Sequence, residues 1–305
     1  MHIGVTFPQT EIGDDPAVVV AYAQAAEDLG CSHILAFDHV LLPDASVRPG
    51  YKGFYKIPNP FLEPLVLFGF LAGVTKRIHF ASGVLILPQR QTALVAKQAA
   101  VVDVLSKGRL RLGIGTGWND TEYTALKENF HNRGKRSEEQ VAVMRALWTN
   151  QVVTFKGKWH AFEAMGMNPL PVQRPIPVWF GGNVPEVRDR IGRIGDGWIL
   201  TRFIDADKVQ EAFEDVRRAA RGAGRDPASI GFEGRVNLAG TTPDQQARQV
   251  EEWQHAGASH VSLNTMDAGL KSPQAHVDAV RRFMEAVKGI AKGAGAAPKG
   301  KSARA

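Results

Sequence analysis

The chain has 305 residues, 44% hydrophobic and 22% charged, an ordinary globular composition with length for two small domains or one large α/β barrel. Its net charge of +6 is concentrated at the end, where Lys292, Lys299, Lys301 and Arg304 stand among the last fifteen residues with no acid and leave +2 for the remainder. No stretch reaches about 18 uninterrupted apolar residues, MHIGVTFPQT lacks a secretion signal's basic and apolar segments, and Cys31 is the only cysteine, which excludes an internal disulfide and a multi-cysteine metal site and predicts a cytoplasmic protein with no membrane partner.

Taken in chain order, β-branched or apolar runs predict strands over 2–7, 32–37, 78–86, 109–114, 177–181, 197–201, 230–238 and 259–264. Helical patterns alternate with them over 16–29, 62–75, 91–106, 134–149, 184–194, 205–222, 243–256 and 273–289. Pro16 starts the first helix and Gly30 stops it. Eight strands each followed by a helix predict an α/β chain folded as a single (β/α)8 TIM barrel over residues 1–290. Two insertions exceed the barrel's needs: a polar and aromatic loop over 38–60, and a stretch over 150–176 that begins with the hairpin VVTFKGKWHAF. Residues 291–305, rich in Ala, Gly and Lys, read as a disordered basic tail. No basic stripe with interleaved aromatics occurs in the folded part, so no specific nucleic-acid partner is expected.

A parallel barrel gathers its chemistry at the C-terminal ends of its strands. Those positions are Pro8 and Gln9, Asp38 and His39, Ser82 to Leu87, Gly115 to Asn119, Gly181 to Asn183, Thr201 and Arg202, Asn237 and Asn264. Asp38 and His39 place an acid beside an imidazole, a pair able to hold a ligand and move a proton; in isolation a turn-closing aspartate beside a half-buried histidine is the plainer reading, but the position at the barrel rim tips the pair toward function. Gly83 inside an apolar strand marks a bulge or a close backbone approach. Gly181, Gly182 and Asn183 precede Pro185 and a helix, where free N–H groups can face an anion such as phosphate, or simply form a βα turn. In GRLRLGIGTGWNDTEY, Gly113, Gly115 and Gly117 fit a dinucleotide fingerprint poorly because Trp118 occupies its third glycine position. His160, His255 and His260 lack metal-ligand spacing, and no G-x-S-x-G elbow exists.

The run RIHFASGVLILPQRQTALVAKQAAVVDVLSKGRLRLGIGTGWNDTEYTAL, together with NPLPVQRPIPVWFGGNVPEVRDRIGRIGDGW, resembles the luciferase-like monooxygenase superfamily of flavin and deazaflavin oxidoreductases from residue 1 to about 287. DHVLLP, GVLILPQR and LNTM most resemble its F420-dependent oxidoreductase branch. The resemblance implies a barrel with an insertion, a cofactor across the strand ends, a small-molecule substrate and a homodimer. It implies that Asp38 and His39 meet the ring, with His39 as proton donor or acceptor, and that Gly83 and Val84 form a bulge whose non-proline cis peptide supports one ring face. It puts Gly115, Thr116, Gly117 and Asn119 beside the cofactor and Gly181, Gly182 and Asn183 near its phosphate. Gly115 and Gly117 would then lack side chains so that a planar ring can lie against the backbone.

Sugar-phosphate dehydrogenases of the family resemble GTGE where this chain has GTGW, which argues against such a substrate. Trp118, with Tyr51, Phe54 and Tyr55 from the long loop, is expected to wall an apolar pocket. The implied activity is hydride transfer between C5 of F420 and a small organic substrate. The alternatives are an FMN-dependent monooxygenase and, in a different class, a noncatalytic cofactor-binding protein.

Overall fold

A computed structural model describes residues 1–44, 46, 51, 53–200 and 206–290. The expected tail over 291–305 and the rim positions Thr201 and Arg202 lie outside the described residues. In chain order, β1 (His2–Thr6) leads to α1 (Pro16–Asp28), and β2 (His33–Ala36) to α2 (Pro64–Val74). Next, β3 (His79–Ser82) resumes after a break as β4 (Leu85–Ile86) and leads to α3 (Thr92–Leu105). Then β5 (Leu110–Gly115) is followed by α4 (Asp120–Ala125), α5 (Arg133–Thr149) and the antiparallel hairpin of β6 (Val153–Lys156) and β7 (Ala161–Met165). The last units are β8 (Val178–Gly181) with α6 (Pro185–Ile194), β9 (Gly197–Ile199) with α7 (Ala206–Gly222), β10 (Gly231–Asn237) with α8 (Pro243–Ala256), and β11 (His260–Asn264) with α9 (Pro273–Ala286).

Local chemistry explains where these helices begin and end. Asp15 accepts from Ala17 N at 2.9 Å ahead of Pro16, and Glu63 caps α2 ahead of Pro64. Thr242 and Gln245 form a reciprocal capping box on α8, which ends at Gly257 in the left-handed region, φ 96°.

Among the described residues, β1, β2, β3, β5, β8, β9, β10 and β11 form a parallel sheet that the β3–β5 pairing closes into a barrel. Alternation along each strand divides the core in two. On β5, Leu110, Leu112 and Ile114 join the large apolar layer beneath the helices, while Arg111, Gly113 and Gly115 face the barrel interior. The interior's lower layer is ionic. Arg111 Nη2 lies 2.6 Å from Glu233 Oε2, its guanidinium sits 4.2 Å from the Trp179 ring centre, and His33 Nε2 stands 2.9 Å from Glu233 Oε1. Above it Leu35, Phe37, Ala81, Trp179, Ile199 and Met266 form a small apolar plug. The ionic layer was not anticipated from sequence, because one charge within an apolar strand carries no sign of which charge it will face.

Two local departures reshape the mouth. The single strand expected over 78–86 is interrupted at Gly83–Val84, which is a cis peptide, before β4 rejoins β5 through Leu85–Ile114 and Ile86–Gly115. The loop over 116–119 runs into α4, a short helix that the periodicity does not predict. Cys31 is fully buried at the α1–β2 junction, where burial pushes its thiol up to about 12.

Candidate active site

At the C-terminal ends of the strands lies a cavity of about 390 Å³, a size suited to a small-molecule site. It brings together Asp38, His39, Gly83, Val84, Gly115, Thr116, Gly117, Asn119, Gly181 and Gly182. From the aromatic group, Phe54, Tyr55 and Trp118 also line it. Two expected positions stand outside. Tyr51 lies behind the wall, its ring 6.2 Å from that of Trp118 and its hydroxyl donating to Tyr55 O at 3.0 Å. Asn183 does not line the cavity; its Oδ1 accepts from Arg188 at 3.2 Å.

Asp38 and His39 follow β2 after Phe37 but do different work. The Asp38 carboxylate accepts from Ile86 N at 2.9 Å and from Arg90 at 2.7 Å, and Arg90 also reaches Glu63 at 2.9 Å. Asp38 therefore ties the β2 tip to the β4 segment, with its acceptors committed to protein groups. His39 is held instead by Glu122: Nδ1 lies 3.1 Å from Glu122 Oε2, while Glu122 Oε1 accepts from Val40 N at 2.7 Å and Leu41 N at 3.1 Å. Burial acts to raise the Glu122 pKa, but the bonds from His39 and from the backbone of Leu41 and Val40 outweigh it, and the carboxyl lies below its usual range. An ionised carboxylate only accepts, so Nδ1 carries the proton and Nε2 is the ring nitrogen left for a ligand. Tyr55, Phe61 and Trp118 pack edge-on around the imidazole at 5.3, 5.1 and 6.0 Å, which fixes its plane.

Glu122 was missed by sequence reasoning. The signal existed: Asn119 followed three residues later by Glu122 has the spacing of a helix start. In the fold, Glu122 turns to His39 and the 40–41 backbone rather than to the Asn119 backbone. Gln89 and Arg235 line the cavity as well and were equally unanticipated.

The role expected of the glycines is corrected. A Cβ on Gly115 would overlap Val84, a Cβ on Gly181 would lie 2.8 Å from Val84 Cγ1, and a Cβ on Gly113 would overlap the Ser82 carbonyl. Gly117, at φ 64°, would bring its Cβ within 2.9 Å of Ile86 Cγ2. The space these glycines leave is occupied by the Gly83–Val84 bulge and by Ile86. Val84 thereby lines the cavity as an apolar ledge between β5 and β8.

The lining fits a flavin-type group. The ledge offers an apolar face, His39 offers a ring nitrogen, and Gln89 holds a buried carboxamide whose two polar atoms meet no protein group. Among the described residues no helix is long and apolar enough to cross a membrane.

Residues 1–297 match the luciferase-like monooxygenase family model. An uncharacterized protein of Mycobacterium tuberculosis is 30% identical over 287 residues, 91% of this chain and 96% of that protein. The F420-dependent hydroxymycolic acid dehydrogenase of the same organism is 30% identical over 263 residues, 84% of this chain and 68% of that protein. A solved monooxygenase from Streptomyces bottropensis has the same fold, with a TM-score of 0.77 at 20% identity, covering 95% of this chain and 99% of the other.

Proposed function

This chain belongs to the luciferase-like monooxygenase family, whose members are oxidoreductases and monooxygenases, and from that premise we propose that residues 1–290 form an F420-dependent oxidoreductase acting on a small organic substrate. The observation that carries the reading is the His39–Glu122 pair in the cavity wall, which engages Nδ1 of the imidazole and leaves Nε2 for a ligand. F420, when bound, supplies a ring carbon, C5, that gives or accepts a hydride.

The chain's own residues do the rest. Val84, Gly115, Thr116, Gly117 and Asn119 would hold the ring, and Gly181 and Gly182 would face its phosphate end, while Asn183 stands outside the cavity. His39 would give or take a proton at the substrate oxygen through Nε2, and Glu122 would stabilise the imidazolium form. Trp118, Phe54 and Tyr55, which line the cavity, would receive the apolar part of the substrate. The same reading makes the protein a cytoplasmic homodimer, which sedimentation of the purified chain checks.

A second reading, FMN-dependent oxygenation of a small molecule, draws its support from the family's monooxygenase members. Titrating the purified protein with F420 and with FMN, followed by cofactor fluorescence, separates the two. A saturable F420 response is expected; tight FMN binding with no F420 response overturns the first reading. His39→Ala is expected to keep cofactor affinity and lose turnover, and unchanged turnover refutes the role given to His39. Cofactor binding without turnover of any alcohol, ketone, imine or aldehyde offered would favour a noncatalytic binder.

A further inference from the structure

We infer that Gln89 recognises the adjoining C=O and N–H groups on the pyrimidinedione edge of the ring proposed for this cavity, an inference that rests on the proposed cofactor reading. Gln89 ends the single 3-10 turn Leu87–Gln89 that follows β4. It is 6% exposed and lines the cavity, and neither its Oε1 nor its Nε2 meets a hydrogen-bonding group of the protein. Buried polar groups are nearly always paired, because leaving one unmet forfeits the hydrogen bonds it made to water. A carboxamide with both ends unmet in the wall of a ligand-sized cavity therefore points to a ligand that supplies both partners.

The surroundings present that head group rather than absorb it. Gln140 Nε2 donates to the carbonyls of Leu87 and Arg90 at 3.2 Å each, clamping the turn from both sides of Gln89. Arg90 is in turn bonded to Asp38 and Glu63. Gln9, buried near the same mouth, shows what an engaged glutamine does here: its Nε2 donates to Phe37 O at 3.1 Å and its Oε1 accepts from Phe37 N at 2.5 Å. Gln89 has no such backbone partner, and its anchored neighbours hold it in place.

The chemistry selects the kind of ligand. A carboxamide offers one acceptor and one donor side by side, the complement of a cyclic imide's N–H and C=O. A phosphate or carboxylate would satisfy only Nε2 and repel Oε1, and an alkyl group would satisfy neither. Flavins and deazaflavins share the imide edge, so Gln89 serves either ring and does not choose between them. Selection between the two cofactors must lie elsewhere in the cavity.

The test uses the full chain, with cofactor affinity as its readout. Gln89→Met keeps the side chain's length and removes both polar atoms. Its Kd for whichever cofactor the wild type binds is expected to rise about tenfold or more. The same cofactor methylated at the imide nitrogen is expected to bind the wild type more weakly by a similar factor, and to lose little further on Gln89→Met. Equal affinity of the wild type for the parent and methylated cofactor overturns the inference while the cofactor reading stands, and this measurement decides the matter even if Gln89→Met does not fold. Equal affinity of a folded Gln89→Met and the wild type overturns it too. Failure of the wild type to bind either cofactor removes the cofactor reading itself, and the inference with it.

Discussion

His39 Nδ1 and Glu122 Oε2 stand 3.1 Å apart, joining the tip of one barrel strand to a short helix 83 positions away. Glu122 also receives the N–H groups of Val40 and Leu41, so one carboxylate orients the imidazole and closes the turn that carries it. Replacing it by Glu122→Gln keeps the shape and removes the charge. The expected result is a kcat lower by about 10- to 100-fold, with cofactor Kd nearly unchanged, as for other residues that orient a reacting group. Steady-state kinetics paired with a binding titration checks it, and an equal loss in both would reduce Glu122 to a part of the scaffold.

The ledge at Val84 gives a second prediction. Gly115→Ala should destabilise the protein by about 1–3 kcal/mol, because the new methyl overlaps the Val84 side chain in a packed mouth. Adding Val84→Ala to that variant should recover part of the loss. Urea unfolding of the two variants measures this; no recovery would mean that Gly115 is needed for a different reason.

Acid should weaken the fold in two steps. Burial, with the neighbouring charges of His33, Arg111, Arg109 and His2, lowers His79 from 6.5 to about 4, and burial likewise lowers His33 and His260. A histidine whose folded pKa is depressed takes up its proton more readily when unfolded, so stability falls as pH drops from about 6.5 toward 4. Below about 4.5 the carboxylates whose pKa values the fold lowers, Glu27, Glu122 and Glu233 among them, add a further loss as they protonate. Thermal melts between pH 7 and pH 4 should show a shallower slope for His79→Gln than for the wild type.

Inside the barrel, Arg111 depends on Glu233. Glu233→Gln leaves a buried guanidinium without its counter-charge and is expected to cost about 3–5 kcal/mol. The pair Glu233→Leu with Arg111→Met should lie closer to wild type than either single change. Chemical denaturation of Glu233→Gln, of the double variant and of its two single changes provides the comparison.

Much of the architecture was legible before any coordinates. Strands near residues 2, 33, 79, 110, 178, 197, 231 and 260, and the helices between them, follow from short-range alternation and from signals such as Pro16 at the start and Gly30 at the end of the first helix. Those signals survive in a linear reading because each arises from backbone geometry and neighbours a few residues away. That Asp38, His39 and the glycine positions share one rim was legible for the same reason: they follow strand ends, and the ends of parallel strands meet.

What closure of the barrel decided is which of those residues share a space. The three glycines of GIGTG are visible in one dimension, but that Val84 fills the room left by Gly115 and Gly181 follows only when β3 joins β5 and β5 joins β8. Arg111 against Glu233, and His39 against Glu122, are likewise pairings across the ring of strands. Local propensity sets the order of the elements; partnership between distant side chains depends on register and packing, which exist only once the sheet has met itself.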